Sequence, residues 1–74
     1  MKEKVIKIIA DTTGLPTEKI TEDANLLTDL QLESLDIVTL VAELESAIGK
    51  EIPDIDIKTF QTVKDVLDYI EKNA

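Results

Sequence analysis

The chain contains no cysteine, histidine, arginine or tryptophan, and its aromatics are one tyrosine and one phenylalanine. Without cysteine and histidine, thiolate chemistry, imidazole acid–base catalysis and zinc sites built on those ligands are excluded. Carboxylates, hydroxyls and amines remain. No apolar run exceeds three residues, as in Leu40-Val41-Ala42, so no membrane span is predicted. The opening Met1-Lys2-Glu3-Lys4 has no targeting pattern either, and a cytoplasmic location is expected. Sixteen acids against eight lysines leave a formal charge of −8. That balance argues against direct nucleic-acid binding, in which cationic side chains displace counterions from phosphate. A protein with basic patches is the natural complement.

What is present suffices for a core: 43% of the 74 residues are hydrophobic, chiefly ten Ile, nine Leu and five Val. One domain spanning residues 1–74 is expected, as a monomer. Val5, Ile8 and Ile9 recur at i, i+3, i+4 before Gly14-Leu15-Pro16, which predicts a helix over Lys2–Thr13. Leu15 to Glu33 has no sustained period. Its Ile20, Ala24, Leu26, Leu27, Leu30 and Leu32 predict a long connection pinned across the core, with short helical turns. Ser34–Ile48 reads as the principal helix, with Leu35, Val38, Val41, Ala42, Leu44 and Ile48 as its apolar stripe and Gly49 as its stop. Asp56 is placed to cap one short turn through Ile57 and Phe60, and Thr62 with Asp65 to cap a last helix whose face is Val63, Val66, Leu67 and Ile70. The fold class is therefore all-α: three main helices, one short helix and a long first loop.

The acidity is uneven. Glu22, Asp23, Asp29, Glu33, Asp36, Glu43 and Glu45 fall between Ile20 and Gly49, a stretch without a single lysine. Glu33 and Asp36 suit the positive end of a helix dipole, but Glu43 and Glu45 lie toward the opposite end, where acids are disfavoured. A face that keeps them reads as a docking surface for Lys and Arg. Asp54-Ile55-Asp56 lacks the glycine and terminal glutamate of an EF-hand, and no metal site is expected.

Ser34 opens the principal helix, where its plain structural reading is an N-cap. A helix N-terminus also accommodates phosphate. The run Asp29-Leu30-Gln31-Leu32-Glu33-Ser34-Leu35-Asp36-Ile37-Val38, then Leu40-Val41-Ala42-Glu43-Leu44-Glu45, Glu51-Ile52-Pro53-Asp54, Thr62-Val63 and Asp68-Tyr69-Ile70, resembles the acyl carrier protein family from Val5 to Ile70. The resemblance implies a four-helix carrier bundle with no catalytic residue of its own. It implies that Ser34 receives 4′-phosphopantetheine from coenzyme A through a phosphopantetheinyl transferase, and that the arm's thiol holds acyl groups as thioesters, supplying what a cysteine-free chain lacks. It further implies recognition by acyl-transfer and acyl-synthesis enzymes through Glu33, Leu35, Asp36, Glu43, Glu45, Asp54 and Asp56. Leu26, Leu44, Ile52, Ile57, Phe60 and Val66 match the family's acyl pocket. Glu33 replaces the usual Asp, and Gln31 stands where Gly is common, making positive φ less accessible there. Thr39 and Ile55 replace frequent acids. Fatty-acid intermediates are the expected cargo. A carrier of aminoacyl or polyketide intermediates and an unmodified acidic interaction module are the alternatives, and a carboxylate enzyme ranks last for want of a water-excluding cleft.

Overall fold

A computed structural model describes residues 2–73; Met1 and Ala74, the ends of the expected domain, lie outside the described residues. It contains α1 (Lys2–Thr13), a 3-10 turn (Thr17–Lys19), α2 (Ser34–Ile48), α3 (Asp54–Ile57) and α4 (Val63–Asn73). The architecture is all-α, with α1 packed on both α2 and α4. Glycines end the first two long helices by the same device. Gly14 (φ 75°) and Gly49 (φ 69°) turn left-handed, and their N–H groups donate to Ala10 and Glu45 carbonyls, each at 2.8 Å.

Among the described residues the core is a single cluster of sixteen buried apolar residues, five of them (Ile20, Ala24, Leu26, Leu30, Leu32) from the long connection. Asn25 organises that segment. Its side-chain oxygen accepts the Leu27 and Thr28 N–H groups at 2.9 and 3.0 Å, and its carbonyl accepts those of Asp29 and Leu30. The connection is then sewn to the start of α4. Leu26 N–H donates to Gln61 O (2.9 Å), Val63 N–H to Ala24 O (3.1 Å) and Lys64 N–H to Glu22 O (2.9 Å). Among the described residues, an isolated antiparallel bridge between Asn25 and Thr62 is the nearest thing to a strand.

Three expectations need correction. Leu27 is 58% exposed, because the Asn25 turn directs it outward while Leu26 enters the core. On α2 the buried stripe is Leu40, Val41 and Leu44, with Ile37 and Ile48 half-buried, whereas Leu35 (76% exposed), Val38 (64%) and Ala42 face out. Both stripes have helical spacing; the one α1 covers is the one that is buried. Finally, α3 begins at Asp54 rather than at a cap on Asp56, since the fixed φ of Pro53 (−62°) launches the turn two residues earlier. At α4 the expected cap is present. Thr62 Oγ1 accepts the Asp65 N–H at 3.3 Å while Asp65 Oδ2 accepts the Thr62 N–H at 3.1 Å and the Gln61 N–H at 3.0 Å.

Candidate functional site

The start of α2 is capped differently. The N-cap is Glu33, in extended backbone, and its N–H donates to Asp36 Oδ2 at 2.9 Å. Ser34 therefore occupies the first helical position rather than the cap, which corrects its plain structural reading. Its side chain is exposed, and its hydroxyl makes no hydrogen bond within the described residues. An uncommitted hydroxyl at the positive end of a 15-residue helix, about 22 Å long, is well placed to carry a phosphoester.

The segment leading to Ser34 is anchored on both sides of Gln31. Leu30 and Leu32 are buried, and Leu32 N–H donates to Leu26 O at 3.0 Å. Between them Gln31 adopts φ 56°, the one positive φ among described non-glycine residues. The glutamine thus occupies the conformation for which the sequence judged it ill suited, at a cost of roughly 1 kcal/mol that the two anchored leucines impose.

The acids expected to dock partners fall into two groups. Glu33, Glu43 and Asp54 are exposed. Asp36, Glu45 and Asp56 are half-buried and accept hydrogen bonds from this chain: Asp36 from Glu33 N–H, Glu45 from Ile52 N–H at 2.7 Å, and Asp56 from the Tyr69 hydroxyl at 2.9 Å. The Glu45 bond accounts for an acid near the C-terminal end of α2, because it ties the following segment back to the helix. Tyr69 also meets Phe60 edge to face, with centroids 5.3 Å apart. Its phenol is raised above the ordinary 10.0, first by desolvation and then by the hydrogen bond and charge of Asp56. Sequence reading missed the Glu45 and Asp56 partners because neither is local; the lone tyrosine was the available signal for the second. Leu35, also expected at the docking face, stands exposed beside Ser34.

Among the described residues one ion pair forms, Lys2 Nζ to Glu22 Oε2 at 2.9 Å; the hydrogen bond and charge of Lys2 hold the Glu22 carboxyl below 4.5. No described group of three or more acids is gathered as a metal site would require. The six pocket candidates join the core: Leu26, Leu44, Ile52 and Val66 are buried, and Ile57 and Phe60 pack against them half-buried. Four open surface clefts, of about 200 to 420 Å³, are lined by other residues.

A helical fold with an exposed, uncommitted hydroxyl at the start of its longest helix is an arrangement able to carry a phosphoester-linked group. The family described as "Phosphopantetheine attachment site" matches residues 3–70. The chain is 48% identical over 73 residues to the acyl carrier protein of Syntrophobacter fumaroxidans (strain DSM 10017 / MPOB), covering 99% of this chain and 90% of that protein. A solved structure of the acyl carrier protein from Enterococcus faecalis superposes with a TM-score of 0.82 at 34% identity, covering 99% of this chain and 92% of that one. The chain belongs to the phosphopantetheine-attachment family of acyl carrier proteins. It is a carrier and not an enzyme; its cofactor is phosphopantetheine, and its partners are the transferase that installs the arm and the enzymes that handle acyl groups. No described helix is long and apolar enough to cross a membrane.

Proposed function

We propose that Ser34 is the attachment residue and that the chain, as one domain over residues 1–74, carries fatty-acid intermediates in the cytoplasm as a monomer. The observation that carries the assignment is the Ser34 hydroxyl, exposed and free while Asp36 does the capping. The residues around it fit the group: the approach is open, and the helix dipole favours the phosphate charge. When attached, the arm supplies the terminal thiol that holds acyl groups as thioesters. The chain's own part is to display that arm and to be recognised.

Recognition combines the exposed acids Glu33, Glu43 and Asp54 with the exposed Leu35, against basic patches on each partner. Asp36, Glu45 and Asp56 add to the negative charge of this part of the chain while holding Glu33, Ile52 and Tyr69 in place. Docking of this kind is salt-sensitive and quickly reversed, as a shuttle requires. Leu26, Leu44, Ile52, Ile57, Phe60 and Val66 are the interior that a long acyl chain enters, Ile57 and Phe60 being the two that are not fully buried. Intact mass after incubation with coenzyme A and a broad-specificity phosphopantetheinyl transferase tests the assignment. One phosphopantetheine is added to the wild type and none to Ser34→Ala; equal addition to both would refute Ser34.

A further inference from the structure

Gln31 is strained where a glycine would not be. The other described positive-φ positions are Gly14 and Gly49, so elsewhere this chain meets the left-handed requirement with the residue that bears it freely. At Gln31 the conformation is imposed from both sides. Leu30 and Leu32 are buried, and their N–H groups are bonded to the Asn25 and Leu26 carbonyls. An outlier so firmly held, three residues before the modified serine, points to use of its side chain.

The donors available near Ser34 narrow that use. From Leu26 to Gly49 there is no Lys, Arg, His, Asn or Trp, and Gln31 carries the one side-chain N–H donor of the stretch. The same stretch holds Asp29, Glu33, Asp36, Glu43 and Glu45. A phosphodiester on Ser34 adds a negative charge next to Glu33 and two residues from Asp36, with no cation in that stretch to meet it. The Glu33 N–H is already given to Asp36, and the Thr39 hydroxyl to the Leu35 carbonyl at 3.2 Å. Gln31 is exposed, and its carboxamide is bonded to no other described residue. With Leu30 and Leu32 turned inward, Gln31 and Glu33 alternate to the exposed side that leads into Ser34.

We propose that the Gln31 carboxamide is a positioning group for the arm, its N–H donating to a phosphodiester oxygen on Ser34 and setting the direction in which the arm leaves the helix. This rests on Ser34 being the attachment residue. A neutral donor suits the task, since it orients the phosphate more weakly than a cation would and leaves the arm free to swing.

The test compares ¹⁵N-labelled protein before and after loading from coenzyme A by the transferase, with loading confirmed by intact mass. The chain has four side-chain amides, Asn25, Gln31, Gln61 and Asn73, so the Gln31 pair is assigned by its loss in Gln31→Glu. On loading, that pair shifts and the other three do not. The ³¹P resonance of the loaded wild type differs from those of loaded Gln31→Glu and Gln31→Gly, and Gln31→Asn, which keeps a carboxamide, recovers part of the difference. Gln31→Gly also melts at a higher temperature than wild type, so a changed resonance in that variant is not a folding defect. If mass is added but the Gln31 pair stays in place and ³¹P is the same in all four proteins, the role of Gln31 is overturned and the attachment reading stands. If the wild type gains no mass, the attachment reading itself fails, and the role of Gln31 with it.

Discussion

Two helices of this chain begin with a hydroxyl residue and an acid, and they use them in opposite ways. At α4 the hydroxyl stands one position before the helix, and Thr62 and Asp65 satisfy each other's backbone N–H groups. At α2 the hydroxyl stands one position later. Asp36 takes the N-cap N–H from Glu33, and the Ser34 hydroxyl is left without a partner among the described residues. A shift of one residue separates a side chain that closes a helix from one that is free to be modified. The acids at the cap and three positions after it, Glu33 and Asp36, make the shift possible, because they form the capping box without the hydroxyl.

This contrast has consequences that can be ranked. The largest is qualitative: Ser34→Ala abolishes phosphopantetheine addition, whereas Thr62→Ala leaves it complete, both read by intact mass. Next, Asp65→Ala strands the N–H groups of Gln61 and Thr62 and costs about 1–2 kcal/mol in chemical denaturation. Thr62→Ala loses one bond and costs about 1 kcal/mol. The smallest effect is that of Ser34→Ala on stability, within about 0.5 kcal/mol; a cost equal to that of Thr62→Ala would mean that the Ser34 hydroxyl caps after all.

Acid sharpens the same contrast. The backbone N–H groups of Gln61 and then Thr62 hold the Asp65 carboxyl below its ordinary 3.8, outweighing partial desolvation. A depressed folded value means that the contribution of Asp65 is complete above 3.8 and is lost as pH falls through the lower value. The stability gap between wild type and Asp65→Asn is thus constant near neutrality and narrows below about pH 4. A gap that stays constant into stronger acid would show that Asp65 is not held by those two N–H groups.

What the sequence made legible here is what short-range chemistry determines. Two of the long helices end where Gly14 and Gly49 predict and the third begins where the Thr62–Asp65 pair predicts, since stops and caps act within four residues. The pinning of the long connection was visible in its spaced apolar residues, five of which enter the core. The face of α2 was not legible, because Leu35, Val38 and Ala42 repeat as regularly as Ile37, Leu40, Val41, Leu44 and Ile48, and burial by α1 decides between them. Nor were the bonds of Glu45 to Ile52 and of Asp56 to Tyr69, which span seven and thirteen residues. At the site, context singled out Ser34 as the expected attachment residue, but the freedom of its hydroxyl was not legible. That depends on Asp36 taking the cap, a geometry that spacing permits without requiring. The left-handed Gln31 was legible only as a conflict, because the preference of one residue was set against two anchored neighbours.

The bonds from residues 22–26 to residues 61–64 also bear on synthesis. The segment that leads into Ser34 is held by backbone that leaves the ribosome almost forty residues later. At about 5–20 residues per second, a nascent chain therefore spends seconds with its serine exposed and its approach unset. A transferase that recognises the shaped approach, and not Ser34 with its immediate neighbours alone, would act only after residues 61–64 have joined the fold. In that sense α4 reports that the approach to Ser34 has been set.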